Sequence, residues 1–510
     1  MSIDKELSSH RVGRGMLLLA SKDIVGSIIS AVFFVLIARF IPSVADLGVL
    51  ISLQTIIIMF VILSGLGLPY TANRFISSFL GSGKKERAHN LYPLIFTLSA
   101  GLSSIFSVIL FVLSSEFSIV LFNSTGYTSL IQLTSIEVLL LGLVTTCTFL
   151  LTASLEFKKV ALVSMVTSII KYGCSFVFLA LGLGLYGIIL GLVIGDSISL
   201  AVFSILLRSK ILKWSVNISS SISQLKVMLR FSLPLYGSEI LSFFSFRIDV
   251  YLLMALSNSY MVGIYSPAVF IEGAFFILLT ALDQALLPAV SRVYGRSGIS
   301  SFKISSRYVT RYLFLLYFPL GFALIASTPS IVNLALGDRF TESIIPIMIL
   351  LMSITLTSPF IVVYSLLRSS GNTDVLLKSS ALSLLVQILI SVITIPSTGV
   401  LGVSVAKFAS RFILLVFPTR SLKKIGGFEI DVNALKNGLV GSSVVSLVII
   451  IINTFIGPYS VPVQYISAFI SLLIFFRYTR AIDKFDLELI EKILPGKMKL
   501  LTIHLAKLLL

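Results

Sequence analysis

The chain has 510 residues, of which 56% are hydrophobic and only 12% are charged, with a mean hydropathy of +1.05. Soluble domains carry about twice that share of charged residues, so the polar residues here are too few to cover roughly three soluble domains. A net charge of +17 is also found in nucleic-acid-binding proteins, but the distribution of the basic residues excludes that class. The composition predicts a polytopic membrane protein.

Hydropathy marks fourteen apolar segments, each about long enough to cross a ~30 Å hydrocarbon core as a helix. In chain order they lie near residues 15–41, 46–69, 91–114, 129–155, 160–182, 186–207, 231–257, 260–288, 312–336, 343–367, 376–396, 399–418, 437–457 and 462–478. Cys147 and Cys174 fall inside the fourth and fifth segments, where we interpret them as small packing residues. We therefore expect an all-α protein with 14 transmembrane helices.

The basic residues are distributed unequally between the two sides of this pattern. Of 39 lysines and arginines, 32 lie on the side that contains both termini, one (Arg339) lies on the other side, and six lie within segments. Basic loops stay in the cytoplasm, so we predict cytoplasmic termini, an even number of spans and a location in the cell (plasma) membrane. This topology accounts for the positive charge without a nucleic-acid partner. The long first segment has no small-residue cleavage site, so we expect no cleaved signal peptide.

The chain contains an internal repeat with an offset near 215 residues. GLGLPYTANR (Gly65–Arg74) matches LDQALLPAVSR (Leu282–Arg292), and Leu185–Asp196 matches Val400–Arg411. The second match repeats a small residue at every fourth position, which allows helices in a membrane to approach closely. These positions are Gly187, Gly191 and Gly195 in the first copy and Gly402, Ala406 and Ser410 in the second.

The repeat predicts two six-helix lobes of parallel topology around a central cavity, with segments 13 and 14 outside the repeat. The predicted boundaries are 1–210 for the first lobe, 211–229 for a cytoplasmic linker, 230–420 for the second lobe, 421–478 for the two further helices and 479–510 for a cytoplasmic tail. The tail alternates apolar and charged residues, which indicates amphipathic helices on the membrane surface. A partner-binding helix is the alternative interpretation.

Two glycine-rich strings look like nucleotide-binding motifs. GLGLYG at residues 182–187 has dinucleotide-motif spacing, but it lies between two membrane segments with no preceding strand, so we interpret it as a tight hairpin turn. GSGKKE at residues 81–86 lacks the spacing and the hydroxyl residue of a phosphate-binding loop. No histidine lies inside a segment. We therefore expect no cofactor, no metal and no catalytic residue.

The stretch Ile37–Ala88, which begins IARFIPSVADLGVL and ends in the basic loop GSGKKERA, resembles the N-terminal signature of the polysaccharide-transporter family. These are Wzx-like flippases of lipid-linked oligosaccharides, in the multidrug/oligosaccharidyl-lipid/polysaccharide exporter (MOP) superfamily. The paired lobes and fourteen segments extend the resemblance over essentially the whole chain. It implies alternating-access transport of a polyprenyl-(di)phosphate-linked sugar from the cytoplasmic to the outer leaflet. The implied partners are this lipid-linked glycan, membrane lipids and glycan-assembly enzymes.

Charged residues inside membrane segments are costly, so they face protein or water. The resemblance implies that the first two helices of each lobe line the cavity, and it selects as substrate-binding candidates Lys22, Asp23, Arg247, Asp249 and Glu272. Secondary candidates are Lys171, Asp196, Lys407 and Arg411. Lys407 and Arg411 share one helix face, where they should repel unless water or an anion attends them. The repeat aligns Asp196 with Arg411, so a structural ion pair is the alternative role.

Two other functions are alternatives to the flippase. The first is a cation-coupled multidrug exporter of the same superfamily, in which Asp23 would be the coupling carboxylate. Fourteen rather than twelve spans argue against it. The second is a membrane-embedded glycosyltransferase or polysaccharide polymerase. Such enzymes need a sizeable loop domain or a metal-binding Asp pair, and the non-cytoplasmic loops here are short.

Overall fold

The structure, a computed structural model, describes residues 22, 24–211, 218–425 and 427–481, and within these residues it contains helices and turns but no strand. The helices are α1 (Ile24–Phe40), α2 (Val44–Gly65), α3 (Leu68–Gly81), α4 (Lys85–Val112), α5 (Ser114–Phe122), α6 (Thr128–Ala153), α7 (Phe157–Phe178), α8 (Gly184–Ile211), α9 (Ile218–Leu256), α10 (Ser259–Ser297), α11 (Ser301–Tyr312), α12 (Phe318–Ile331), α13 (Ile344–Thr357), α14 (Ile361–Ser369), α15 (Thr373–Thr398), α16 (Val400–Ile425), α17 (Val432–Ile456) and α18 (Val461–Thr479).

Within the described residues, eleven helical stretches are long and apolar enough to cross a membrane. One of them, Phe157–Arg208, contains α7 and most of α8. Helix α1 is apolar but shorter, and α9 does not belong to the eleven. The prediction of an all-α polytopic membrane protein is confirmed, whereas the number of 14 spans stays a prediction.

The second predicted segment is interrupted near its end. Helix α2 starts at a capping box, in which the Ser43 hydroxyl accepts from the Asp46 N–H at 3.0 Å and the Asp46 carboxylate accepts from the Ser43 N–H at 3.2 Å. The helix ends where Leu66 (φ 46°) and Gly67 (φ 68°) adopt left-handed backbone conformations. The predicted helix over 46–69 is therefore wrong at its C-terminal end: α2 ends at Gly65, and a separate helix, α3, begins at Leu68.

Helix α9 packs against both sides of this break. A Cβ on Gly67 would lie 2.8 Å from the Ser232 carbonyl oxygen, so only glycine fits there. The Tyr236 hydroxyl donates to the Leu63 carbonyl at 3.0 Å. Helix α9 starts at Ile218, so the described part of the predicted linker 211–229 is helical.

The chain divides into two compact units, one up to Gly263 and one from Ile264, and the boundary falls inside α10. The domain boundaries stated from the sequence remain predictions. In the first unit, the apolar core joins α3, α4, α6 and α8, for example through Ile76, Leu91, Leu150 and Phe203. In the second unit, separate apolar clusters form around α11 with α14 and around α12 with α17 and α18.

Helices α7 and α8 form a tight hairpin in the first unit. A Cβ on Gly191 would lie 2.3 Å from the Ser175 nitrogen, and one on Gly195 would lie 2.3 Å from the Lys171 Cβ. The turn between the helices contains Gly182 (φ 84°) and Gly184 (φ 55°). The interpretation of GLGLYG as a hairpin turn is confirmed, as is the close approach predicted from the small residues.

Helices α15 and α16 repeat this arrangement in the second unit. A Cβ on Gly402 would lie 2.8 Å from the Thr394 carbonyl carbon. The Ser383 hydroxyl donates to the Ser410 carbonyl at 2.9 Å, as the Ser175 hydroxyl donates to Ile188 at 2.9 Å in the first hairpin. Each copy of the repeat thus holds its last two helices together by small residues and one buried serine hydroxyl.

The two helices outside the repeat are attached to α12 by polar contacts. The Ser330 hydroxyl donates to Asn453 Oδ1 at 2.8 Å, and the hydroxyls of Ser327 and Tyr465 lie 2.7 Å apart. These contacts join α17 and α18 to the second unit. The predicted amphipathic tail lies outside the described residues from residue 482 onward.

Candidate functional site: charged residues in the membrane helices

Three of the predicted site residues meet in the second unit. Glu272 of α10 lies between Lys407 and Arg411, which are one turn apart on α16. The Glu272 Oε2 is 3.0 Å from the Lys407 Nζ, and its Oε1 contacts the Arg411 Nη2. The anion that relieves the predicted repulsion between Lys407 and Arg411 is therefore a carboxylate of the protein itself.

This cluster is almost fully removed from solvent. Glu272 is 4% exposed and Lys407 is 2% exposed. The Arg411 Nη1 is buried and has no hydrogen-bond partner among the described residues. Such a donor is costly in a membrane interior unless water or a ligand reaches it.

A buried amide lies beside the same helix. Gln387 of α15 is 1% exposed, and its Oε1 accepts a long hydrogen bond of 3.5 Å from the Ser410 hydroxyl. The Gln387 Nε2 has no partner within the described part of the chain. Sequence reasoning does not select Gln387. The sequence feature that could have indicated Gln387 is its spacing of four residues from both Ser383 and Ser391, which places three polar side chains on one helix face.

A second charge cluster occupies the first unit and contains two secondary candidates. Lys171 of α7 lies 2.5 Å from the Asp196 Oδ2 on α8 and 3.1 Å from the Glu137 Oε1 on α6. Both carboxylates are buried, at 1% exposure for Glu137 and 5% for Asp196. The repeat aligns Asp196 with Arg411, and the structure pairs each with a charge of its own unit. Glu137 lies within the fourth apolar segment, but it is not among the candidates selected from the sequence.

Two of the predicted residues, Arg247 and Asp249, lie on α9 in the first unit. Arg247 is half-buried, and among the described residues it makes no hydrogen bond or ion pair. Tyr251, one turn further on, donates to the Thr55 carbonyl at 3.1 Å. Asp249 is fully buried, and its Oδ1 accepts from the Val250 N–H at 3.0 Å. Glu239 accepts from the Tyr70 hydroxyl at 3.2 Å.

The remaining candidates are at the start of the chain. Lys22 is half-buried at the first described position, whereas Asp23 lies outside the described residues. Asp283, which the sequence places near a helix end, contacts the Arg368 guanidinium at 2.7 Å and the Ser365 hydroxyl at 2.6 Å. In the parts of the chain that the structure describes, no three His, Cys, Asp or Glu side chains are grouped to hold a metal ion.

Comparisons with known proteins identify both a family and a fold. The profile of a family described as "Polysaccharide biosynthesis protein" matches residues 35–346, more than half of the chain. No curated protein matches the chain significantly in sequence. Among solved structures, the lipid II flippase MurJ in an inward closed conformation is similar with a TM-score of 0.66 and 16% identity, over 91% of this chain and 99% of that one.

Multidrug transporters of the MATE family have the same fold. An inward-facing MATE transporter of the MOP superfamily matches with a TM-score of 0.60 and 16% identity, over 79% of this chain and 96% of that one. The Vibrio cholerae MATE transporter VcmN in its bent form matches with a TM-score of 0.54 and 18% identity, over 85% of this chain and 98% of that one. At these identities the similarity concerns the fold, which is that of MurJ and the MATE transporters.

Proposed function

Because this chain belongs to the polysaccharide biosynthesis protein family, we propose that it moves a lipid-linked oligosaccharide from the cytoplasmic to the outer leaflet of the cell membrane. The substrate would be a sugar chain joined to a polyprenyl lipid by phosphate or diphosphate. The fold that the chain shares with a lipid II flippase supports this substrate class. The proposal is of a transporter, not of an enzyme, and it keeps both termini in the cytoplasm.

The physical difficulty of this transport is the polar headgroup. Sugar hydroxyls lose several kcal/mol each when they leave water without new hydrogen bonds, and a phosphate charge costs more. A transporter removes the barrier if it offers water and fixed polar groups to one side of the membrane at a time. The polyprenyl tail needs no such path, because hydrocarbon is its natural solvent.

Arg247 is the observation that carries the proposal. It lies within the hydrophobic stretch of α9, is half-buried, and has no acidic partner among the described residues. An arginine in a membrane helix without a protein anion needs water or an anionic ligand. A phosphate meets that need with two parallel charge-assisted hydrogen bonds. We assign Arg247 to the phosphate group of the lipid carrier.

The cluster of Glu272, Lys407 and Arg411 supports the same electrostatic role. The buried Arg411 Nη1, which has no hydrogen-bond partner among the described residues, favours an anion over a cation in its neighbourhood. The other predicted substrate-binding residues, Lys22, Asp23 and Asp249, stay in the proposal as candidates for the same path.

The test measures transfer of a fluorescent polyprenyl-diphosphate-linked saccharide between the leaflets of protein-containing liposomes. We expect Arg247→Gln to slow the transfer about tenfold or more, since a hydrogen bond to a charged group contributes roughly 1.5–3 kcal/mol. Arg247→Lys should retain part of the rate because it keeps the charge but loses the bidentate geometry. Lys159→Gln, which removes a charge that is 54% exposed, is the matched control. Unchanged transfer in a folded Arg247→Gln protein would refute the role of Arg247.

The alternative is a cation-coupled multidrug exporter, and the MATE transporters of the same fold favour it. In that case liposomes would show no transfer of the lipid-linked saccharide. They would instead show efflux of cationic dyes driven by a proton or sodium gradient. Asp23→Asn would then abolish efflux, because Asp23 would be the coupling carboxylate.

A further inference from the structure

A small cleft lies on the first unit, away from the charge clusters. It has a volume of about 260 Å³ and is formed by three connections: the turn before α2, the turn before α6 and the hairpin turn between α7 and α8. Its polar groups come from Asp46, Tyr127 and Tyr186, and its apolar surface comes from Leu130, Leu183 and Leu185. This volume is slightly below the range of roughly 300–1,000 Å³ that holds drug-sized ligands, so the cleft suits one sugar-sized ring.

The walls of the cleft are held in place by local hydrogen bonds. The Asp46 carboxylate accepts from the Ser43 hydroxyl at 2.7 Å as part of the cap of α2. The hydroxyls of Tyr186 and Ser129 lie 2.6 Å apart and tie the hairpin turn to α6. The Ser124 hydroxyl accepts from the Gly126 N–H at 3.1 Å. A site organised before binding loses less conformational freedom when a ligand enters.

Glycines leave the backbone of one wall uncovered. Gly182 and Gly184 both line the cleft, and a Cβ on either residue would meet nothing within 4 Å. Both residues have positive φ angles, a backbone conformation that glycine adopts without steric cost. The peptide groups add hydrogen-bonding groups to the tyrosine hydroxyls and the carboxylate.

The charges of the cleft disfavour an anion. No lysine or arginine lines it, so a phosphate would find no positive charge. Its single carboxylate, Asp46, belongs to the first turn of α2, where the partial positive charge of the helix N-terminus offsets it. What remains is a site with no basic side chain, in which hydroxyl groups and one partly compensated carboxylate lie beside apolar and aromatic side chains.

A pyranose ring has that combination of properties. Its hydroxyl groups donate and accept hydrogen bonds at the ring edge, and its C–H groups form apolar faces that pack on tyrosine and leucine. Tyrosine presents an apolar ring with a polar hydroxyl and suits such amphipathic surfaces. The exposed fractions of Tyr186 (43%) and Leu183 (48%) show that both side chains are accessible at the lip.

We infer that this cleft binds one neutral sugar ring of the translocated glycan on the non-cytoplasmic face of the first unit. The inference rests on the proposed function and on the topology predicted from the basic residues, which assigns all three connections to the outer side. The cleft would hold the glycan after it leaves the transport path. Glycans whose terminal sugar fits the cleft would therefore be released slowly.

The experiment is saturation-transfer-difference NMR on the full chain in lipid nanodiscs. The probes are free glucose, galactose and N-acetylglucosamine, with tetraphenylphosphonium as a cationic probe. We expect saturation transfer to at least one sugar. Leu183→Trp, which fills the lip of the cleft, should weaken that binding about tenfold, as expected when about 1.4 kcal/mol of contact free energy is lost.

Leu181→Trp is the matched control, because it lies on the same turn, is 70% exposed and does not line the cleft. Equal binding by the wild type and Leu183→Trp would overturn the inference, as would saturation of tetraphenylphosphonium but of no sugar. The experiment needs no transport. Sugar binding without flipping would therefore refute only the proposed function, and flipping without sugar binding would refute only the cleft.

Discussion

The Glu272 carboxylate determines whether two cations can stay inside the membrane next to each other. Its two oxygens contact Lys407 and Arg411, and the three side chains are nearly inaccessible to solvent. Removing one partner of a buried ion pair is more harmful than the pair is beneficial, because an uncompensated charge remains. Stability at this position therefore tests whether the cluster is assembled as described.

We expect Glu272→Gln to lower the free energy of unfolding by about 3–5 kcal/mol, because Lys407 and Arg411 lose the carboxylate that contacts both of them. The measurement is unfolding in mixed micelles followed by circular dichroism. In the Arg411→Gln background the same substitution should cost clearly less, since one uncompensated cation has been removed.

Glu429→Gln is the control in the same unit. Glu429 is 49% exposed and lies 3.5 Å from Arg307, so its removal should cost no more than about 1 kcal/mol. If Glu272→Gln and Glu429→Gln cost the same, the buried cluster would not be assembled as described.

At the scale of elements, the closest contacts are made by glycines. Gly48 of α2 and Gly263 of α10 are equivalent positions of the repeat, and they meet each other: a Cβ on Gly48 would lie 2.8 Å from the Gly263 nitrogen. In the α7–α8 hairpin, Gly191 packs equally closely against Ser175. Where helices approach this closely in a membrane, packing and weak polar contacts hold them together.

We expect Gly191→Ala to destabilise the protein by about 1–3 kcal/mol, because its Cβ would lie 2.3 Å from the Ser175 nitrogen and the two helices would have to move apart. Thermal unfolding in detergent measures the effect. Gly173→Ala on α7 is the control, since a Cβ there meets nothing within 4 Å. Equal melting temperatures for the two variants would mean that the hairpin is looser than described.

At the scale of the whole molecule, the orientation in the membrane is still a prediction from the distribution of basic residues. Thirty-two basic residues lie on the side of the termini and one on the other side. The positive-inside rule converts this difference into a direction of insertion. The direction decides which end of each unit meets the cytoplasm, and with it the side on which the cleft around Asp46 opens.

Cysteine labelling in intact cells tests this orientation. Thr125→Cys, in an exposed turn predicted to be outside, should react with a membrane-impermeant maleimide, whereas Ser82→Cys, in an exposed turn predicted to be cytoplasmic, should react only after the cells are opened. The native Cys147 is buried and Cys174 is half-buried, and a variant without both supplies the background. The reverse labelling pattern would invert the topology.

The sequence predicted most of the fold because, in a membrane, the hydrophobicity of a segment largely determines whether it forms a helix. Apolar stretches must form helices, since no water is present to satisfy the backbone. The small residues in both copies of the repeat predicted close helix packing, and α7–α8 and α15–α16 have these close contacts. The sequence did not predict the break at Leu66 and Gly67, because two left-handed residues leave no mark on the hydropathy of the segment.

The sequence predicted which charged residues belong to the candidate site, but it did not predict which of them contact one another. Each charge inside a helix is conspicuous in the sequence because it is costly, so Glu272, Lys171 and Arg247 were all identified. Which charges neutralise one another depends on the rotation and depth of neighbouring helices, and these follow from packing over many residues. For that reason Glu137 and Gln387 gain their importance only in the folded chain.

The sequence by itself determined the class of this protein, the segments that become helices, the repeat and the membrane charges. Only the tertiary structure decided that Glu272 contacts two cations, that Lys171 contacts two carboxylates and that Arg247 has no described protein partner. The physical reason is the range of the interactions. Helix formation in a membrane is a local response to hydrophobicity, whereas an ion pair requires two distant segments to bring their charges within about 4 Å of each other.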